Sequence, residues 1–172
     1  MKIATKKQIP MEDTNKLFQS KNNHLIHKEA IDLIVKTLPG AVSMDAISGY
    51  DAPYHVEWNG MSFIVKVARP SRKISQKRAK WFYALREKDH MAGDFFILFC
   101  LLESNVEAIY VMPRVFLPKV YITITRLNGN MRYDYFRTTI QDLANKIMEV
   151  KNNLPKLAKI YREAEELKGG RL

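Results

Sequence analysis

The chain is short of the residues from which catalytic and structural centres are most often assembled. It contains one cysteine, Cys100, so no disulfide framework and no cysteine-based zinc site can form within a single chain. That thiol sits in the apolar run FFILFCLL with nothing electropositive beside it, which reads as a buried, inert sulfur. No stretch approaches the ~20 consecutive apolar residues of a membrane span, and the opening segment MKIATKKQIP lacks the apolar centre of a secretion signal. The expectation is a reducing, cytoplasmic setting with no membrane partner. Gly-rich phosphate loops, Walker-type motifs and dinucleotide fingerprints are missing too, which disfavours ATP hydrolysis and redox cofactors. No serine or cysteine stands in a recognisable arrangement with a base. His24 and His27 flank a helix start without an evident metal partner, and His90 in EKDHMAGD reads as a turn residue.

Negative charge is scarce where it matters most. Between Lys66 and Lys88 stand nine Lys or Arg against the single acid Glu87, so 23 residues hold +8 of the chain's net +10. A solvated helix face usually mixes signs, and an amphipathic membrane-surface helix needs a stronger apolar face than this stretch offers. The concentration points to an anionic partner, with nucleic acid foremost and an acidic protein as the competitor.

What is present is an ordinary globular composition. The 172 residues are 47% hydrophobic and 27% charged, enough for one domain with a real core. Residues 1–20 are polar and lysine-rich and read as a basic arm. Ile26, Ala30, Leu33, Ile34 and Leu38 recur at helical spacing before Pro39-Gly40, which predicts a helix over 24–38. Val42 to Ile47 suggests a short strand. Residues 54–58 and 61–68 are β-prone runs joined by Asn59-Gly60, a strong hairpin signal. Pro70 and Ser71 lead into a helix expected from Ile74 to Lys88, carrying Trp81, Phe82, Leu85 and much of the basic charge. Phe95–Leu102 has the length and continuous apolarity of a buried strand. Ala108–Met112 and Tyr121–Arg126 follow as strands, and the chain turns helical from Thr139. The order predicts an α/β fold, a mixed sheet flanked by helices, with a core over 21–138 and a helical C-terminal extension over 139–172.

In that extension Leu143, Ile147, Val150, Leu154 and Leu157 form a heptad-like stripe. Pro155 should start a second helix, Lys156 to Lys168, ended by Gly169-Gly170. The stripe serves either the domain's own core or a homodimer, which would present two basic surfaces to a two-fold symmetric DNA site.

The succession of helix, PYH, NG turn, VKVARP, helix, DFFILFCLL and AIYVMP resembles the PD-(D/E)XK nuclease superfamily, in particular its small restriction-like and homing-endonuclease-like members, over roughly Lys28 to Arg126. The resemblance implies a restriction-endonuclease-like sheet, DNA as partner and a nucleoid-associated location. It also implies a site in which two carboxylates hold Mg²⁺ beside a lysine that orients the attacking water. Lys66 occupies the lysine position and Glu29 the position of a helix glutamate, but His55 stands for the expected aspartate and Ile64 for the acid two before the lysine. Ile64 cannot bind a metal, and His55 is a poor ligand for Mg²⁺. The leading expectation is therefore a catalytically degenerate fold with no cofactor. It would bind double-stranded DNA through Lys66, Arg69, Arg72, Lys73, Lys77, Arg78 and Lys80. The alternative is an Mg²⁺-dependent endonuclease that uses Asp51 or Glu57 with Lys66, Glu57 sharing a strand face with His55. Among the helix residues after the hairpin, Glu87 is taken as the one available carboxylate.

Overall fold

The computed structural model describes residues 18–44, 53–71, 79–125 and 131–169. Asp51, Arg72, Lys73, Lys77 and Arg78 lie outside them. The Asn22 side chain accepts from the His24 N–H and opens helix α1, Asn23–Thr37. Its inward face is Ile26, Ala30, Ile31, Leu33 and Ile34, the period that predicted it. Strands β1 (Val42–Ser43), β2 (Val56–Trp58) and β3 (Met61–Ala68) follow. Both turn residues of the β2–β3 hairpin have positive φ, Asn59 at 49° and Gly60 at 73°, the geometry that makes Asn-Gly the favoured pair there.

The chain then departs from expectation. No helix runs up to Lys88: Lys80–Ala84 is a strand, β4, and the helix that follows, α2, is only Glu87–Ala92. Residues 80–84 alternate exposed and buried, a period of two. Strand β4 pairs antiparallel with β7, Tyr121–Thr125, in a separate two-stranded ribbon. Strand β5, Phe95–Leu102, is buried through Leu101 as its composition demanded, and β6, Asn105–Pro113, returns beside it. A 3-10 turn at Arg114–Phe116, helix α3 (Met131–Asp134) and strand β8 (Arg137–Thr138) complete the region before the last helix.

The main sheet is mixed, in the order β1-β2-β3-β5-β6-β8, with β3 and β5 parallel and every other pair antiparallel. The connection from β3 to β5 carries β4 and α2. Ile64 and Lys66 face α2; a Cβ at Gly93, just after that helix, would lie 2.5 Å from Ile64 Cγ1. Trp81 and Tyr83 tie the ribbon to β5, donating to the carbonyls of Leu101 (2.7 Å) and Phe99 (2.8 Å).

The C-terminal segment is one helix, α4, Leu143–Gly169, with Pro155 inside it rather than at the start of a second helix. The predicted stripe divides there. Leu143, Ile147 and Val150 are fully buried in the chain's own core, whereas Leu154 and Leu157 are half-buried. The basic arm also ends earlier than expected: Phe18 is fully buried and its ring meets Phe99 at 6.0 Å. Among the described residues, no helix is long and apolar enough to cross a membrane.

Candidate functional site

The carboxyl ends of the parallel strands β3 and β5 open on a cleft of about 580 Å³, the place where α/β sheets usually bind ligands. The first turn of α1 borders it with Asn23, His24 and His27. Lys66 and Arg69 come from the end of β3, Phe82 from β4, and Arg86 from the residue before α2; His55 completes the wall.

Lys66 does not stand free in this cleft. Its Nζ donates to Asp89 Oδ2 at 2.6 Å, and the lysine side chain is 17% exposed and the aspartate 3%. Arg86 Nε donates to the same oxygen at 3.2 Å, and the Arg86 backbone N–H reaches it at 3.3 Å. Burial alone would raise the Asp89 carboxyl. The hydrogen bonds and charges of Lys66, and then of Arg86, outweigh that and hold it below the ordinary carboxylate value. One buried carboxylate thus aligns two cations at the cleft wall and neutralises half of their charge. Asp89 was missed because it stands one residue beyond the basic run. The carboxylate that reaches Lys66 from the following helix is this one and not Glu87. Its spacing from Arg86, three residues into a helix, is the local signal that could have revealed it.

His55 and His27 cap the edge of β3. Strand β2 begins only at Val56, paired with Phe63, so the peptide groups of Val65 lie beyond the ladder. The Val65 N–H donates to His55 Nδ1 at 2.8 Å, and His27 Nε2 donates to the Val65 carbonyl at 2.7 Å. The two rings meet edge to face at 4.5 Å. Burial, then the positive potential of His27 and Lys66, push the His55 pKa down to about 3. This is consistent with its task, since only a neutral ring can accept that hydrogen bond. The residue at the expected aspartate position is therefore a backbone-satisfying group.

The other expected residues are dispersed. Glu57 pairs across the hairpin with Ser62 and accepts from Tyr54 Oη at 2.7 Å. Ser62 is four residues along β3 from Lys66, roughly 13 Å at the strand rise. Glu29 accepts from the Phe18 backbone N–H at 2.8 Å. Arg69 Nη2 donates to the carbonyls of Phe18 (3.1 Å) and Ser20 (2.5 Å), stapling the incoming chain to the end of β3. Lys80 is exposed on the ribbon's outer face. Ile64 is fully buried.

The described donors do not fit Mg²⁺. No three His, Cys, Asp or Glu side chains cluster as a metal site among the described residues, and an ammonium already sits on the carboxylate beside Lys66. No protein-family model matches the chain, and no curated protein is similar to it in sequence.

Proposed function

We propose that the chain is a nucleic-acid-binding protein, with DNA as its first candidate partner, built on a catalytically degenerate PD-(D/E)XK-like scaffold. One observation carries this reading. Lys66, Arg69 and Arg86 converge on a cleft with no acidic side chain among the described residues of its lining, and the carboxylate of Asp89 is buried behind Lys66. A preorganised group of cations in a cleft is a site for phosphate. The succession of α1, the β2–β3 hairpin, the crossover through α2 and the parallel strand β5 supports the restriction-endonuclease-like reading of the sheet. The buried Ile64 and the neutral, strand-capping His55 support the loss of metal ligation.

The test is binding of a labelled DNA duplex, followed by fluorescence anisotropy across a salt series. Arg86→Ala should weaken binding to all sequences and reduce the slope of log affinity against log salt by about one unit, the share of one phosphate contact. An unchanged affinity and slope, both for Arg86→Ala and for a triple Ala variant of Arg72, Lys73 and Lys77, would remove the proposed surface. The alternative is an Mg²⁺-dependent endonuclease using Asp51 or Glu57 with Lys66; the position of Glu57, opposite Ser62 on the hairpin, does not favour it. Metal-dependent nicking of plasmid that disappears in Lys66→Ala would establish it. A homodimer through α4 would use its distal half, where Ile160 and Leu167 are exposed; sedimentation equilibrium tests for it.

A further inference from the structure

The outer lip of the cleft carries two aromatic rings that packing does not consume. Strand β4 sends Trp81 and Tyr83 inward and leaves Lys80, Phe82 and Ala84 outward. Phe82 is 50% exposed and Tyr121, on the partner strand, is 55% exposed. In the ribbon register Ala84 faces Tyr121 and Phe82 faces Thr123, so the two rings are diagonal neighbours on one face. They stack with centroids 5.3 Å apart and 29° between planes. Their contact helps hold the ribbon together, but about half of each residue's surface still meets water.

Phe82 also lines the cleft that contains Lys66, Arg69 and Arg86, and Lys80 lies on the same ribbon face as Phe82. A positive cleft with an aromatic lip matches the chemistry of a strand with unpaired bases. Cations hold the phosphates while rings stack on the bases, whatever their identity. A fully paired duplex keeps the faces of its bases inside its own stack and presents only edges in its grooves.

We propose that Phe82 and Tyr121 form a base-stacking platform, and that the partner of the cleft is a nucleic acid with unpaired bases next to the phosphates it holds. This rests on the nucleic-acid reading above and narrows it to single-stranded or locally opened strands. The deoxyribose and ribose forms share the chemistry.

The experiment compares one mixed-sequence oligonucleotide as single-stranded DNA, as single-stranded RNA and as duplex DNA, by fluorescence anisotropy. The proteins are the native chain, Phe82→Ala and Phe82→Leu. Leucine keeps apolar cover on the ribbon while deleting the ring, and thermal unfolding of each variant checks the fold. The native chain should prefer a single strand. Both variants should lose about tenfold or more of that affinity, with the salt slope and duplex affinity unchanged. A loss seen with only one sugar supports the platform and names the natural source. Equal single-strand and duplex affinities that are insensitive to both variants would overturn the platform while leaving nucleic-acid binding intact. Failure to bind any of the three ligands at low salt would overturn both readings.

Discussion

At the scale of single residues, two side chains near Lys66 depend on pH over different ranges. His55 must stay neutral to accept from Val65, and its pKa is pushed down to about 3 by burial and by the charges of His27 and Lys66. An unfolded histidine titrates near 6.5. Between those values the unfolded chain holds a proton that the folded chain does not, so stability falls as pH falls, by up to ~1.4 kcal/mol per unit. His55→Asn keeps an acceptor and removes the titration. Denaturant curves at pH 7 and pH 5 should show a clearly smaller loss for the variant, and equal losses would contradict the strand-capping role. Asp89 behaves differently: with its carboxyl held low, its contribution is in place above the unfolded value near 3.9 and is lost only as pH falls below that. Asp89→Asn should therefore cost about 2–4 kcal/mol at neutral pH, because Lys66 keeps its charge and loses its partner. Urea denaturation at pH 7 measures this. On the proposed function the same variant should tighten DNA binding, since it adds one net positive charge to the cleft.

At the scale of elements, the contact of α2 with β3 decides what position 64 can hold. With Gly93 positioned so that a Cβ would be 2.5 Å from Ile64 Cγ1, Gly93→Ala should destabilise by about 1–3 kcal/mol through overpacking. Pairing it with Ile64→Ala, which removes Cγ1, should cost less than the sum of the two single changes, and a double-mutant cycle reads the coupling. Ile64→Glu, which would put an acid two residues before Lys66, places a charge at a fully buried site. It should prevent folding rather than recruit Mg²⁺, as circular dichroism of the variant would show. Helix α4 illustrates a different division. Its first turns are anchored by Leu143, Ile147 and Val150, while Pro155 removes one backbone donor before the more exposed half.

At the scale of the whole molecule, the buried strand β5 gives a measure of global opening. Cys100 is fully buried in it, with its thiol pushed up to about 12 chiefly by burial. A thiol reagent should therefore modify the native chain no faster than the core opens, and the labelling rate should follow global unfolding across a denaturant series. Fast labelling without denaturant would mean that β5 is accessible through local motion. The same view relocates the charge. The run from Lys66 to Lys88 is not one helical face: its described cations are spread over the end of β3, the ribbon and the start of α2, and the cleft is where three of them meet.

Local geometry was enough to read α1, the β2–β3 hairpin and β5. Their signals are carried by neighbouring residues: a 3.6-residue period, two turn residues that accept positive φ, and an unbroken apolar run of strand length. Strand β4 was misread because Trp81 and Leu85 also satisfy helical spacing. Pairing with β7, about forty residues further on, selects the extended form. Of the candidate site, Lys66 was legible. The Asp89 partnership, the histidine caps on Val65, the Arg69 staple and the Phe82–Tyr121 stack were not. Each joins residues distant in sequence, and such contacts arise only when folding brings them together. The sequence alone therefore determined α1, the β2–β3 hairpin, β5 and the large positive charge, since composition and short-range periodicity express these directly. Which cations face the cleft, and which are tied to a carboxylate or a carbonyl, was decided by the tertiary structure, because burial and partner distance exist only in the assembled fold.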